Sequence, residues 1–451
     1  MSENAAHIPT CSVERACGAC QHLAVPYAQQ LARKDARIAE LFAEFVIPAG
    51  TPAPAAASAP AAAADILLPI IGMDEPFHYR NKVASPFAPG KRIAPRAGRG
   101  GRDQHGDRDR VRGAGKKASR AAASEHEILC GMYAAGTHRI VATDGCLIEN
   151  AEAKRIILSI RSLMPRFGIQ PYREDANTGF LRHAVVRVGH TSGEILVTLV
   201  TNGRQFPASR AFCRELVRRH PGITTVVQNV NERQTNVIFG EREQTLYGPG
   251  FILDRLCGLS FRISSQSFYQ VNAVQTEVLY ERAIKLARLD GTQHAIDAYC
   301  GTGTIGLVTA KRGAARVVGV DTTASAIRDA RTNARHNGIE NAEFAVGDAG
   351  DFMRQAAGRG ERVDVLLMDP PRAGASEDFI AAAGELAPGR IVYISCNPQT
   401  QVRDVRALAE RGYRVEAVQP VDMFPHTDHI ECIVALAANG RNGGQARRTD
   451  G

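Results

Sequence analysis

The stretch Asp297-Ala-Tyr-Cys-Gly301-Thr-Gly303-Thr-Ile-Gly306 decides how this chain folds. An apolar run from position 294 leads into it and a helical pattern leads out, so its glycines sit in a strand-to-helix turn. Asp321 ends the next β-branched run. Glycines at such a turn let a ligand approach the backbone, and an acid at the tip of the second strand accepts hydrogen bonds from ribose hydroxyls. The pattern predicts a nucleoside cofactor held at Gly301, Gly303 and Asp321, without saying which one. A turn built only for tight strand–helix packing is the plainer alternative.

Outward from the turn, strands are expected over 294–299, 316–321, 343–346, 363–369 and 390–396, each followed by helical periodicity. That alternation gives an α/β domain, here 263–437, with a mostly parallel, doubly wound, Rossmann-like sheet. Two further runs, 414–418 and 429–436, would add an antiparallel edge. Upstream, Ser267-Phe-Tyr-Gln270-Val-Asn272 opens an amphipathic helix, with Asn272 as N-cap and Gln275 placed as in a capping box.

Acids mark the strand tips. Asp348 ends the third strand, placed for an adenine amino group, and Asp369-Pro-Pro-Arg372 ends the fourth, beside the group to be transferred. Carboxylates at successive tips suit cationic S-adenosylmethionine and would repel the diphosphate of NAD. Arg390-Ile-Val-Tyr-Ile-Ser-Cys396-Asn-Pro then sets a thiol at the carboxyl end of the fifth strand, the edge where open α/β sheets bind ligands. The alternative for Cys396 is a small buried hydrophobe. Glu431 lies in the otherwise apolar His429-Ile-Glu-Cys-Ile-Val-Ala-Leu436, where an ionised carboxylate is costly without a partner or a shifted pKa. It is a general-base candidate, with a structural salt bridge as the alternative.

The 451 residues leave room for two or three domains. No apolar run approaches a membrane span and the N-terminus lacks a secretory apolar region, so a cytoplasmic protein without membrane association is expected. Its ten cysteines then point to metal binding or catalysis rather than disulfides. Within 1–48, Cys11-x5-Cys17-x2-Cys20 precedes a helical face over 27–45; the spacing suits zinc or an iron–sulfur cluster. Cys146, in a polar turn, is the preferred fourth ligand, and Cys130, in a strand-like run, is its rival.

Residues 49–66 read as an Ala/Pro linker. The span 67–262 reads as a central α+β domain, with strands over 185–188, 194–200, 224–229 and 235–239 around helices near 151–167 and 209–219. The net charge of +8 is concentrated: residues 91–120 hold 11 Lys and Arg against 3 Asp, which leaves 44 basic and 44 acidic residues elsewhere. The insert 91–124 and the tail 438–451 lack core-forming content and are expected to be disordered. The insert is either a solubilising spacer or a non-specific clamp on nucleic-acid phosphates.

In order along the chain, Ser-Phe-Tyr-Gln-Val-Asn, Asp-Ala-Tyr-Cys-Gly-Thr-Gly, Asp-Pro-Pro-Arg, Ser-Cys-Asn-Pro and Phe424-Pro-His-Thr-Asp-His-Ile-Glu431 resemble the bacterial RNA 5-methyluridine (uracil-C5) methyltransferases. The resemblance covers nearly all of the chain outside 49–66, 91–124 and the tail. It implies an S-adenosylmethionine-dependent enzyme acting on RNA, ribosomal rather than transfer RNA, with Cys396 as nucleophile and Glu431 as base. It also implies a cofactor site lined by Gln270, Tyr299, Thr304, Asp321, Asp348 and Asp369, and a [4Fe-4S] cluster on Cys11, Cys17, Cys20 and Cys146. Arg80, Lys82 and the central domain are then expected to hold RNA backbone, surface salt bridges being the alternative for those two side chains. No obligate protein partner is expected. Two departures stand out: the chain begins close to Cys11, so the RNA-binding β-barrel at the front of some members is not expected, and the basic insert is foreign to the pattern. A nicotinamide-dependent oxidoreductase would leave Cys396, Glu431 and Asp369 without roles, and a non-catalytic RNA-binding protein would need neither Cys396 nor Glu431.

Overall fold

Runs rich in Val and Ile pair into two seven-stranded sheets in the computed structural model, which describes residues 10–46, 66–93 and 126–439. Residues 49–65 of the expected linker, 94–124 of the basic insert and 440–451 of the tail lie outside the described residues, while Ala438, expected in the tail, closes the last strand. The first sheet has the order β3-β2-β1-β4-β5-β6-β7, built from β1 (Lys82–Arg92), β2 (His126–Tyr133), β3 (Ile140–Ala142), β4 (Leu181–Val188), β5 (Ile195–Thr201), β6 (Ile223–Val230) and β7 (Arg242–Tyr247). Only β5 and β6 run parallel. Helices Ala151–Leu163 and Ser209–Arg219 cover one face, packing Ile156, Ile160, Phe212 and Leu216 onto Val83, Phe87 and Ile128. Asn150 caps the first of them by accepting from the backbone N–H groups of Glu152 and Ala153.

Residues 235–239, expected as a strand, are not one. The Asn231 amide donates to the carbonyls of Val237 and Ile238, and buried Arg182 donates to that of Thr235, so side chains occupy acceptors that a ladder would need. The strand forms further on, at β7.

The second sheet has the order β12-β11-β10-β13-β14-β16-β15, from β10 (His294–Ala298), β11 (Arg316–Asp321), β12 (Ala342–Val346), β13 (Val365–Met368), β14 (Arg390–Ser395), β15 (Tyr413–Val421) and β16 (Glu431–Ala438). The first five are parallel and the last two add an antiparallel edge, which is the expected Rossmann-like sheet. Alternate side chains enter two separate cores: Val365, Leu367, Val392 and Ile394 one, Leu366, Met368, Ile391 and Tyr393 the other. The hairpin β8 (Phe251–Leu256) and β9 (Leu259–Ser264) packs Ile252, Phe261 and Ile263 into the first of these cores. Leu67 and Ile71 bridge to Val418 and Val421, so the chain entering from the linker extends the β15 edge.

Asn272 does cap helix Ala273–Ala287, its side chain accepting from the Gln275 N–H. The capping box is not closed. The Gln275 amide instead donates to the carbonyls of Ile71 and Asp422, spending its hydrogen bonds on a long-range tie. Among the described residues no helix is long and apolar enough to cross a membrane.

Candidate active site and cysteine pocket

The carboxyl edge of the parallel sheet switches direction between β10 and β13, and there the predicted residues gather. Past β10, Tyr299 sits at φ 62, a left-handed conformation that a tyrosine occupies only when its surroundings impose it. Its ring packs on Phe379 with centroids 5.1 Å apart. Gly303, at φ 78, opens helix Thr304–Lys311, and a Cβ there would stand 2.7 Å from the Phe344 ring. The Gly306 N–H donates to buried Asp297 at 2.8 Å, which draws the helix onto the strand. The Gly301 N–H donates to Asp321 at 3.0 Å, and the second Asp321 oxygen accepts from the Thr323 N–H. Asp348 caps helix Ala349–Gly358 through the Asp351 N–H and is otherwise exposed, near enough to Tyr299 to help push that phenol up to about 12, after burial. Thr304 shares a hydrogen bond with Tyr280, and the Gln270 carbonyl accepts from Asn81.

Cys396 is the first residue after β14, half-buried, with Asn397 capping helix Pro398–Ala409 behind it. Glu431 opens the neighbouring antiparallel β16, where Ser395 pairs with Cys432, so thiol and carboxyl come from adjacent strands. Both titrate abnormally. Burial, then Glu431 and Asp369, hold the Cys396 thiol above its ordinary value, while Arg372 opposes them. Burial first and then Asp369 hold the Glu431 carboxyl well above the carboxylate range, with Arg372 again opposing. Asp369 itself is pushed up to about 7 by burial, and Asp297 up to about 8 by burial and by Asp369 and Asp321. Cys396, Glu431 and Asp369 thus lie within one another's field with Arg372 as the cation beside them, and Asp369 links them to Asp297 and Asp321 under the glycine turn. A group of that composition is short of positive charge. Arg372 was visible in its motif but had no assigned role; only the fold lays it against Cys396. Phe268, 68% exposed in the Ser267–Gln270 loop, is a second residue whose position was not legible.

The segment that leads into Glu431 is clamped. Asp422 is fully buried and pairs with Lys34 at 2.7 Å, while Tyr27 donates to its other oxygen. Gln30 donates to His426 Nδ1 and accepts from the His426 N–H, and Tyr79 donates to the Pro425 carbonyl. Helix Tyr27–Leu41 therefore holds residues 422–428 from one side, and Asn272 holds them from the other through the Met423 carbonyl.

Cys11, Cys17, Cys20 and Cys146 line one pocket with Leu23 and Thr143. Cys130 does not join them; it is 1% exposed in the core of the first sheet. Burial, then Cys146 and Cys17, with a smaller push from Cys11, raise the Cys20 thiol to about 12 against the field of Arg80. Among the described residues, no three His, Cys, Asp or Glu side chains, these four included, are gathered tightly enough to hold a single metal ion.

Comparison with known proteins gives the family and the fold. The family described as tRNA (uracil-5-)-methyltransferase matches residues 252–439. An uncharacterized RNA methyltransferase of Oceanobacillus iheyensis is 37% identical over 429 residues, spanning 95% of this chain and 82% of the relative. One from Halalkalibacterium halodurans is 38% identical over 427 residues, spanning 94% and 82%. The crystal structure of Pyrococcus abyssi tRNA (uracil-54, C5)-methyltransferase in complex with S-adenosyl-L-homocysteine is similar in fold, with a TM-score of 0.68 at 24% identity over 95% of this chain and 88% of that one.

Proposed function

The chain belongs to the RNA uracil-5-methyltransferase family and is an RNA methyltransferase, and on that premise we propose that it methylates C5 of a uridine in 23S ribosomal RNA, using S-adenosylmethionine and a covalent bond between Cys396 and C6. The observation that carries this reading is the meeting of Cys396, Glu431 and Asp369 at one carboxyl edge, beside the glycine turn. Uracil C5 is a weak nucleophile. Addition of the Cys396 thiolate to C6 moves an electron pair toward C5, which can then accept a methyl group. S-adenosylmethionine, when bound, supplies that methyl group activated on a positively charged sulfur. Glu431 takes the C5 proton, the C5–C6 double bond re-forms, and Cys396 leaves as thiolate.

The raised values of Glu431 and Asp369 fit an edge built to receive a cation, whose charge favours their ionised forms. Gln270, Tyr299, Gly301, Gly303, Thr304, Asp321, Asp348 and Asp369 would line the cofactor site. A stacked or paired base hides C6, so the uracil has to be flipped into the cleft. Cys11, Cys17, Cys20 and Cys146 would hold a [4Fe-4S] cluster: four thiols share one pocket, and a cluster spans more space between its ligands than the single ion that their spacing disfavours. Its part is structural, since the pocket lies under the clamp on residues 422–428.

Transfer RNA is the second reading, favoured by the substrate named in the family description. Mapping 5-methyluridine in 23S ribosomal and transfer RNA from a strain lacking the gene decides between them, and loss from neither pool overturns the proposal.

A further inference from the structure

Arg372 is exposed, yet it lies against a half-buried thiol, so its backbone has to be held in place. The two prolines before it carry no N–H groups, and the turn after them closes through the Gly374 N–H, which donates to the Pro371 carbonyl. Further support comes from helix Pro398–Ala409. Asn397, its cap, and Thr400 both donate to the Arg372 carbonyl, at 3.0 and 3.2 Å. Arg403 donates to the carbonyls of Ala373 and Ala375. Asp404, 2% exposed, accepts from the Ala375 N–H at 2.8 Å and, on the same oxygen, from the Tyr393 hydroxyl at 2.7 Å, while Arg403 pairs with its other oxygen. Loop and helix press together at Gly374, at φ 81, where a Cβ would stand 2.6 Å from Arg403 and from Asp404. Tyr393 lies on β14, three residues before Cys396, so one buried carboxylate joins the strand that presents the thiol to the loop that presents the cation.

We propose that Asp404 is a positioning residue for the methyl transfer: by tying the Ala375 N–H to the Tyr393 hydroxyl, it keeps the guanidinium of Arg372 beside the Cys396 thiol. This rests on the reading of Cys396 as the nucleophile. The charged groups that act on the thiol are Glu431 from β16 and Asp369 from the end of β13, which disfavour the thiolate, and Arg372, which favours it. With the Arg372 loop adrift, the two acids act unopposed and thiolate becomes scarce before any substrate binds. Asp404 hydrogen-bonds to Ala375, Tyr393 and Arg403, so it acts on the thiol through Arg372. The same helix sends the Gln401 amide to the carbonyls of Tyr393 and Cys432, which ties the strand of the thiol to the strand that Glu431 opens. Thiol, carboxyl and cation are thus set by one helix.

The test is the rate at which iodoacetamide alkylates Cys396 in the full-length protein, followed across pH by mass spectrometry of the peptide that carries it. Displacing a neighbouring opposite charge moves a titration by roughly one to three pH units, so Asp404→Asn should raise the Cys396 profile by about one pH unit and slow alkylation about tenfold below it. Removal of a negative charge would by itself move the profile the other way, so the sign separates positioning from a direct effect of the Asp404 charge. Arg372→Gln should give the same rise, and Asp404→Asn added to it should give no more. Thr400→Val removes a donor to the Arg372 carbonyl without changing any charge; it should move the profile in the same direction, and it decides the matter if Asp404→Asn fails to fold. A melting temperature that falls while the profile stays in place, or a profile that moves down, means a structural or direct role and overturns the assignment. 5-Methyluridine formation by the same preparations reports separately on the uracil reading: a wild type whose thiol reacts as expected but which never methylates RNA sinks that reading and leaves the tie between Asp404 and the thiol standing.

Discussion

Two regions of the protein have opposite electrical character. The carboxyl edge of the second sheet gathers Asp369 and Glu431 around Cys396 with Arg372 beside them, and Asp297 and Asp321 lie next to Asp369. The start of the first sheet gathers Arg80, Lys82 and buried Arg187, none of them in an ion pair among the described residues. A charge left unpaired in a folded protein costs stability, so each surplus marks what its region is built to receive. The acidic edge suits a cationic methyl donor and the basic group a polyanion. Separation of the two prevents either from quenching the other before substrates arrive.

The comparison breaks most visibly at the thiol. Cys396→Ala should reduce methyl transfer to background while S-adenosylhomocysteine still binds, as followed by calorimetry, because the thiol acts on the base and the cofactor has other contacts. Equal losses of affinity and rate would put Cys396 in the cofactor site instead. Glu431→Gln should lower turnover by roughly 10²- to 10⁴-fold, the usual span for a lost general base, and leave an RNA–protein adduct that survives a denaturing gel. Normal turnover would mean that another group takes the proton.

Lys34→Met tests the clamp behind the acidic edge. Leaving Asp422 buried without its partner should cost about 3–5 kcal/mol of stability, read by denaturant unfolding, and should slow release of the adduct more than its formation. An unchanged midpoint would show that the buried pair adds nothing to stability.

The smallest effect is the dependence of stability on pH. Asp297 and Asp369 have folded-state values raised to about 8 and about 7, above that of an unfolded carboxyl. Between the unfolded and folded values the folded protein binds more protons, so their contribution is complete in acid and is lost as pH rises through about 7 to 8. The melting temperature of ligand-free protein should fall over that window, and Asp369→Asn should shrink the fall. A slope of the opposite sign would mean that the acidic edge carries its charge already paired.

What was legible in the sequence follows the range of the interactions involved. The glycine turn, the N-cap at Asn272 and the parallel strands of the second sheet with their antiparallel edge depend on residues a few positions apart or on strongly periodic runs, and these read directly. Gln275 shows the limit: its spacing fits a capping box, yet carbonyls brought in from Ile71 and Asp422 offer better acceptors in a buried place. Residues 235–239 fail for the same reason, since distant Arg182 and nearby Asn231 take up the carbonyls of Thr235, Val237 and Ile238 that periodicity assigned to a ladder.

The sequence by itself determined which residues can do chemistry here: a thiol after a strand, a carboxyl in an apolar run, acids at strand tips, cysteines at ligand spacing. The tertiary structure alone decided which of them meet. Lys34 and Asp422 are 388 residues apart and share one buried pair, Arg372 comes to lie against Cys396, and Lys82 opposes Arg187 only through strand register. The physical reason is that side-chain chemistry and backbone preference are properties of short segments, whereas desolvation and the field of neighbouring charges exist only once distant segments have packed.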